Sequence, residues 1–415
     1  MSIIQTITTA YDSLMKQKVR SALTILAVAV GIGIVIIVLS AGGGLETFVL
    51  KQMESFGSDL IQVEVKVPST KQASVSNAAG RAMGISITTL TLDDMEEIKK
   101  LPNIKDAYAM VTGQDLVSYQ NETKTSMLIG ATYNTPNVDK GAKVLEGEFY
   151  TKEDENSLAQ VAVLGPKMKE KLFGQDDAVG KFIKIKRQNF RIVGVLEERG
   201  AMMGMDWDNM IYMPLKTLQK KIMGIDHVIA FFAQVNDAKL LDATKEDIQF
   251  ALRDSHNIDD PARDDFAVMT MVEARDMIEK IFGGITLLLV ALAFISLVVG
   301  GVGIMNIMYV TVSERTYEIG LRKAIGAKSQ DILKQFLYEA IILTFFGGIA
   351  GILGGLSITF LVSVIANANG LDLPFVVSQN SIFIGVGFSV LMGLFFGIYP
   401  AKRASELNPI AALTK

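Results

Sequence analysis

Gly174-Gln-Asp-Asp-Ala-Val-Gly180-Lys181 imitates a phosphate loop, in which glycine turns ahead of a lysine cradle phosphates. Five residues separate its glycines where a phosphate loop has four, and Phe182 stands where a Mg²⁺-binding Ser or Thr is required. The segment reads as a turn before a strand. His227 and His256 are the only histidines, and neither has metal-ligand spacing or a nucleophile motif beside it. Both are expected as surface or satisfied loop residues. Met202, Met203, Met205, Met210 and Met213 surround Trp207 and could bind a soft metal such as Cu(I). The preferred reading is an adaptable apolar contact surface, since methionine fills irregular gaps. With no Cys, the chain has no thiol nucleophile and no disulfide frame. No catalytic residue, cofactor or metal is assigned on this chain.

The polar residues must therefore act through the elements that carry them. Half of the 415 residues are hydrophobic and 20% are charged, but the charges are unevenly spread. Residues 21–45, 281–313, 340–371 and 373–401 contain no Asp, Glu, Lys or Arg. Each run exceeds the ~20 residues that cross a bilayer at ~1.5 Å per residue. This predicts a polytopic α-helical membrane protein with four transmembrane helices. A cleaved signal peptide at 21–45 is disfavoured, because the run is longer than a usual signal core.

Between the first two spans lies a block at 46–280 with 29 basic and 37 acidic side chains. The short flanks at 1–20, 314–339 and 402–415 carry 11 basic against 6 acidic. Basic flanks stay on the cytoplasmic side, so both termini and the 314–339 connection are expected inside and the large block outside. Nothing favours nucleic acid as a partner, since the outer block is acidic and the inner charges are mixed. Ile3, Ile4, Ile7, Tyr11 and Leu14 recur at helical spacing, which predicts an interfacial amphipathic helix in 1–20.

In the block, alternation over Asp59–Val67 predicts a strand, and Pro68–Ser86 reads as a polar loop. Thr91 and Asp94 form a helix-start signature, followed by a strand at Ile104–Val111. A second strand-helix-strand unit covers Val228–Val235, a helix from Asp237 to about Arg253, and Phe266–Val272. The expectation is an α+β lobe (57–111 and 227–272) with an inserted mainly β subdomain (112–226). Stalk segments at 46–56 and 274–282 would join it to the spans.

Small residues mark helix contacts in the membrane. Gly347, Gly351 and Gly355 form small-xxx-small steps, and Gly300 and Gly303 crowd the second span. Asn306 is the polar group in that span, and helix-to-helix packing is preferred over a conducting role. After the second span, Glu314–Leu333 reads as two short amphipathic helices, one through Ile319, Leu321 and Ile325 and one capped by Ser329 after a break at Gly326.

With its lead-in Gly303–Ser313, this segment resembles the connection of the MacB-type ABC transporter permeases, the superfamily with FtsX and the lipoprotein-releasing permeases. Lys18–Leu26, Val161–Gly165, Lys171–Gly174 and Tyr399–Leu413 extend the resemblance in the same order. The resemblance implies that 314–333 holds the coupling helix that docks on an ATPase, with Glu314, Arg315, Glu318, Ile319, Gly320, Arg322, Lys323, Gly326 and Ala327 as coupling residues. It further implies a homodimer, a separate ATPase subunit and an extracytoplasmic adaptor. The implied work is ATP-driven motion passed across a bacterial plasma membrane, driving export of a drug, peptide or lipid-like substrate. An FtsX-like regulator of cell-wall hydrolases and a membrane-anchored sensor without an ATPase are the alternatives.

Overall fold

The computed structural model describes residues 18–54, 57, 59–66, 88–202, 205–368, 373–377 and 379–413. The expected helix in 1–20 and the loop at 68–86 lie outside these residues, apart from the start of the first span. The chain divides into two compact units, one of residues 1–48 and 278–415 and one of 49–277.

In chain order the helices that matter are α1 (Lys18–Glu54), α2 (Leu92–Ile98), α3 (Pro166–Phe173) and α4 (Leu241–His256). They are followed by α5 (Met271–Glu314), α6 (Thr316–Ala324), α7 (Ser329–Ala368), α8 (Gln379–Ser405) and α9 (Pro409–Leu413). Four of these, α1, α5, α7 and α8, are long and apolar enough to cross a membrane. Both α1 and α5 outrun a bilayer: the 44 residues of α5 make about 66 Å of unbroken helix at ~1.5 Å per residue.

In the first unit the helices are apolar nearly all round, so packing depends on shape. Gly347, Gly351 and Gly355 recur every fourth residue and present one smooth stripe of α7 to α1. A Cβ on Gly347 would sit 2.6 Å from that of Val28, and one on Gly351 would sit 2.7 Å from the Ala29 carbonyl oxygen. At Gly355 it would meet the Gly33 carbonyl oxygen at 2.9 Å. Such approaches bring two backbones into contact, the membrane substitute for hydrophobic driving force. Gly300 is looser, 3.3 Å from the Ala27 carbonyl oxygen, and Gly303 faces open space. Asn306 is exposed in the single chain.

The second unit is built on a ten-stranded sheet. Its strands are β1 (Leu60–Val65), β2 (Ile104–Tyr119), β3 (Glu122–Ala131), β4 (Val144–Gly147), β5 (Val161–Leu164), β6 (Phe182–Ile185) and β7 (Gln188–Leu196). A two-residue hairpin, β8 (Ala201–Met202) and β9 (Met205–Asp206), stands apart from the sheet, which resumes with β10 (Met210–Pro214), β11 (Ala230–Val235) and β12 (Phe266–Thr270). The segment 112–226 is inserted without leaving the sheet, because β2 is long enough to serve both regions. The first half of β2 pairs with β11, which continues to β1 and β12, and α2 and α4 cover that region. Its second half pairs with β3 and β6. From β3 the pairing passes through β10, β5, β7 and β6 back to β2, closing a ring of six strands. Ring closure removes the open edges that a free β insertion would expose.

Alternation along the strands feeds two cores. In β10, Ile211 and Met213 enter one, while Met210 and Tyr212 enter the other. Met210 and Met213 are thus core residues on opposite faces of a strand, a correction to the expected contact surface. They cannot share a metal ion. Trp207 instead stacks on the guanidinium of Arg199 at 4.6 Å, and Arg199 makes a bidentate pair with buried Asp139 at 2.9 and 3.1 Å. The pseudo-phosphate-loop residues Gly174 and Gly180 have positive φ and form the turn between α3 and β6.

Candidate functional site

The connection between the second and third spans is shaped by two breaks in the helical backbone. At the first, Arg315 leaves helical geometry (φ −97°, ψ 13°), so α5 stops at Glu314 and α6 starts afresh at Thr316. The second follows Ala324. Gly326 has φ +99°, its N–H donates to the Lys323 carbonyl, and the Ala327 N–H donates to the Arg322 carbonyl. This pattern of paired bonds behind a left-handed glycine is a Schellman motif, which satisfies carbonyls that the helix end would strand. Ser329 is the first residue of α7 and not its cap, because the Lys328 carbonyl already accepts from the Ile332 N–H. The expected second short helix is therefore the first turn of a 40-residue span.

One side of α6 is fastened to the rest of the unit. Ile319 is fully buried, and a Cβ on Gly320 would lie 2.7 Å from that of Ala412, so α6 and α9 touch through small residues. Lys323 Nζ donates to the carbonyls of Ser405 and Leu407, both at 2.8 Å, and so closes the C-terminal end of α8 with a positive charge. Arg322 donates to Gln335 Oε1 at 2.9 Å and pairs with Glu318 one turn back. Arg315 reaches the buried carboxylate of Glu339 on α7 at 3.5 Å. Ala327 packs against the membrane core cluster. Glu314 and Glu318 are exposed.

The opposite side is bare. Tyr317, Leu321 and Ile325 are exposed, and their i, i+4, i+8 spacing aligns them as one ridge on α6. Ile325, which caps the C-terminal end of α6, is 80% exposed. The resemblance counts Arg315, Arg322 and Lys323 among the coupling residues. In the structure they hold α6 in place, and the ridge is what α6 offers outward. The ridge was missed because its apolar residues were counted toward the helix's own packing; the 3.6 period was present, but its phase was not settled by sequence.

In the second unit, His256 is satisfied, as expected, but at the end of α4 and not in a loop. Its side chain is 9% exposed and lies between two carboxylates, with Nδ1 2.8 Å from Asp265 and Nε2 3.4 Å from Asp94. The Asp94 carboxylate beside it, opposed by burial and reinforced by Asp265, pushes the imidazole up to about 9. Burial acts to raise Asp94, but hydrogen bonds with His256, Ser255 and Thr91 outweigh it and hold the carboxyl well below the usual range. The same Asp94 completes the capping box with Thr91 at the start of α2. This cluster ties α2, the end of α4 and the approach to β12 together. Among the described residues no group of His, Cys, Asp and Glu could hold a metal ion.

Comparison with known proteins places both units. The model of a MacB-like periplasmic core domain matches residues 21–251, and that of an FtsX-like permease C-terminal region matches 290–409. The macrolide export ATP-binding/permease protein MacB of Bdellovibrio bacteriovorus is 34% identical over 405 residues, 97% of this chain and 60% of that protein. The pyoverdine export ATP-binding/permease protein PvdT of Pseudomonas savastanoi pv. phaseolicola is 34% identical over 421 residues, 99% of this chain and 60% of that one. Among solved structures, the periplasmic region of MacB from Actinobacillus actinomycetemcomitans is 19% identical with a TM-score of 0.46, covering 56% of this chain and 97% of that one. The chain spans about three fifths of the length of these curated relatives.

Proposed function

Since the chain belongs to the MacB-like permease family, we propose that it is the membrane-spanning subunit of an ABC exporter and passes motion from a separate nucleotide-binding subunit to its sheet-built unit. The observation that carries this reading is the exposed ridge Tyr317, Leu321 and Ile325 on a helix fastened from behind by Arg315, Arg322 and Lys323. An apolar ridge of this kind suits a groove on a partner, and a clamped helix passes on a push that a loose loop would absorb. The unbroken α5 ends one residue before α6 begins and is the natural rod for that motion.

In this reading the 314–339 connection and both termini lie in the cytoplasm and the 46–280 block lies outside, as the basic flanks favour. Two copies pair so that two nucleotide-binding subunits each find a connection, and an adaptor protein meets the outer unit. The cargo is a drug, peptide or lipid-like compound; the relatives above are named for export of macrolides and of pyoverdine. An FtsX-like regulator of cell-wall hydrolases is the second reading, and the region matched over 290–409 is common to both.

Co-purification tests the docking step. Leu321→Asp places a charge in the centre of the ridge and is expected to weaken capture of the nucleotide-binding subunit by about tenfold or more while leaving the permease folded, since interface centres carry most binding energy. Undiminished capture by both Leu321→Asp and Ile325→Asp contradicts the assignment.

A further inference from the structure

A cavity of about 220 Å³ opens where α5, α8 and the 407–412 segment converge. Its polar lining is Tyr309, Ser313, Thr316, Arg403 and Asn408. Arg403 places its guanidinium 4.3 Å from the centre of the Tyr309 ring, which orients the cation but leaves its charge without a counter-ion. Arg403, Ser313 and Asn408 are exposed, and among the described residues Arg403 makes no ion pair while the Ser313 hydroxyl and the Asn408 amide N–H groups donate to no protein acceptor. Asn408 Oδ1 accepts from the Ile410 N–H at 3.0 Å, which turns that amide so that its donors remain available.

The depth of the cavity is set by the chain itself. The charge-free runs 281–313 and 373–401 both end here, Ser313 closing one and Pro400 lying at the end of the other. This is the level of lipid headgroups, where a guanidinium and a tyrosine are both at home. Val310, Ile398 and Tyr399, neighbours in sequence of lining residues, are exposed and offer apolar surface of the kind acyl chains cover.

We propose that this cavity holds the headgroup of an anionic phospholipid, its phosphate on Arg403 and its polar edge on Ser313 and Asn408. Guanidinium and phosphate form charge-assisted, often bidentate bonds, and a basic pocket between membrane helices is a recognised seat for such headgroups. A bound lipid joins the end of α5 to α8 and α9, on the same elements that hold α6.

The test uses the full chain in nanodiscs of phosphatidylcholine doped with phosphatidylglycerol, with bound lipid read by native mass spectrometry. Wild type is expected to retain phosphatidylglycerol over phosphatidylcholine. Arg403→Gln is expected to lose that preference by about tenfold, the scale of one charged hydrogen bond. Lys402→Gln, the neighbour that does not line the cavity, is expected to keep it. Should Arg403→Gln fail to fold, Ser313→Leu fills the cavity with the charge intact and is expected to give the same loss. Equal retention of both lipids by wild type, or full retention by both variants, overturns the proposal. Displacement of the lipid by millimolar inorganic phosphate overturns the lipid assignment and makes this a site for free anion.

Discussion

Arg315, Arg322 and Lys323 have the composition of a docking patch, but they bond to Glu339, Gln335 and the carbonyls of Ser405 and Leu407. A charge in a sequence carries no direction, so side-chain type alone could not distinguish a clasp from a contact. Glycine was more legible, because a stripe at every fourth residue has little use except close approach. Gly351→Leu is expected to destabilise the span bundle by roughly 1–3 kcal/mol through overpacking against Ala29, read as a lowered melting temperature, while the same change at Gly303, where space is open, is near neutral. Equal effects at the two positions contradict the stripe. For His256 the sign follows from its pKa. The folded value, about 9, lies above the ordinary 6.5, so its contribution to stability is complete below pH 6.5 and is lost as pH rises through 9. Thermal melting of the full chain is expected to fall over that interval, and His256→Asn to flatten the fall. The slope persisting unchanged in the variant assigns it to other groups.

The elements were read from period and punctuation, and these worked where they were local. The Thr91 and Asp94 signature is a complete capping box, and most of each charge-free run lies in one of four long helices, although 373–377, expected in the fourth span, is not helical. What local pattern could not supply was pairing. The ring from β2 through β3, β10, β5, β7 and β6 depends on contacts far apart in sequence, and only the length of β2 hinted that one strand serves two regions. Likewise the break at Arg315 has no glycine or proline to announce it. At Gly326 the signal was explicit, since φ +99° disfavours any residue with a Cβ. Gly326→Val is expected to cost roughly 1–3 kcal/mol locally by straining the Schellman turn, although no neighbour crowds it. Glu318→Lys sets a like charge beside Arg322 on α6. Both variants are expected to assemble normally yet transport poorly, with nucleotide hydrolysis uncoupled from export in reconstituted vesicles. Transport at the wild-type rate in both contradicts a rigid, oriented α6.

At the scale of the whole molecule, the chain combines a span bundle that supplies shape with a sheet-built unit that supplies surface. The membrane character was visible in charge-free run lengths, whereas the division of labour with an ATPase entered only through the resemblance of 303–333 and 399–413 to a family. The central claim is that α6 couples this permease to a separate nucleotide-binding subunit, and phosphate release measures it most directly. The full-length permease is purified in nanodiscs alone, with its nucleotide-binding subunit, and with that subunit plus the Leu321→Asp change. The expected result is no release from the permease alone, release stimulated by the permease in the pair, and loss of most of that stimulation in the variant. Release by the permease alone, or stimulation untouched by Leu321→Asp, contradicts it.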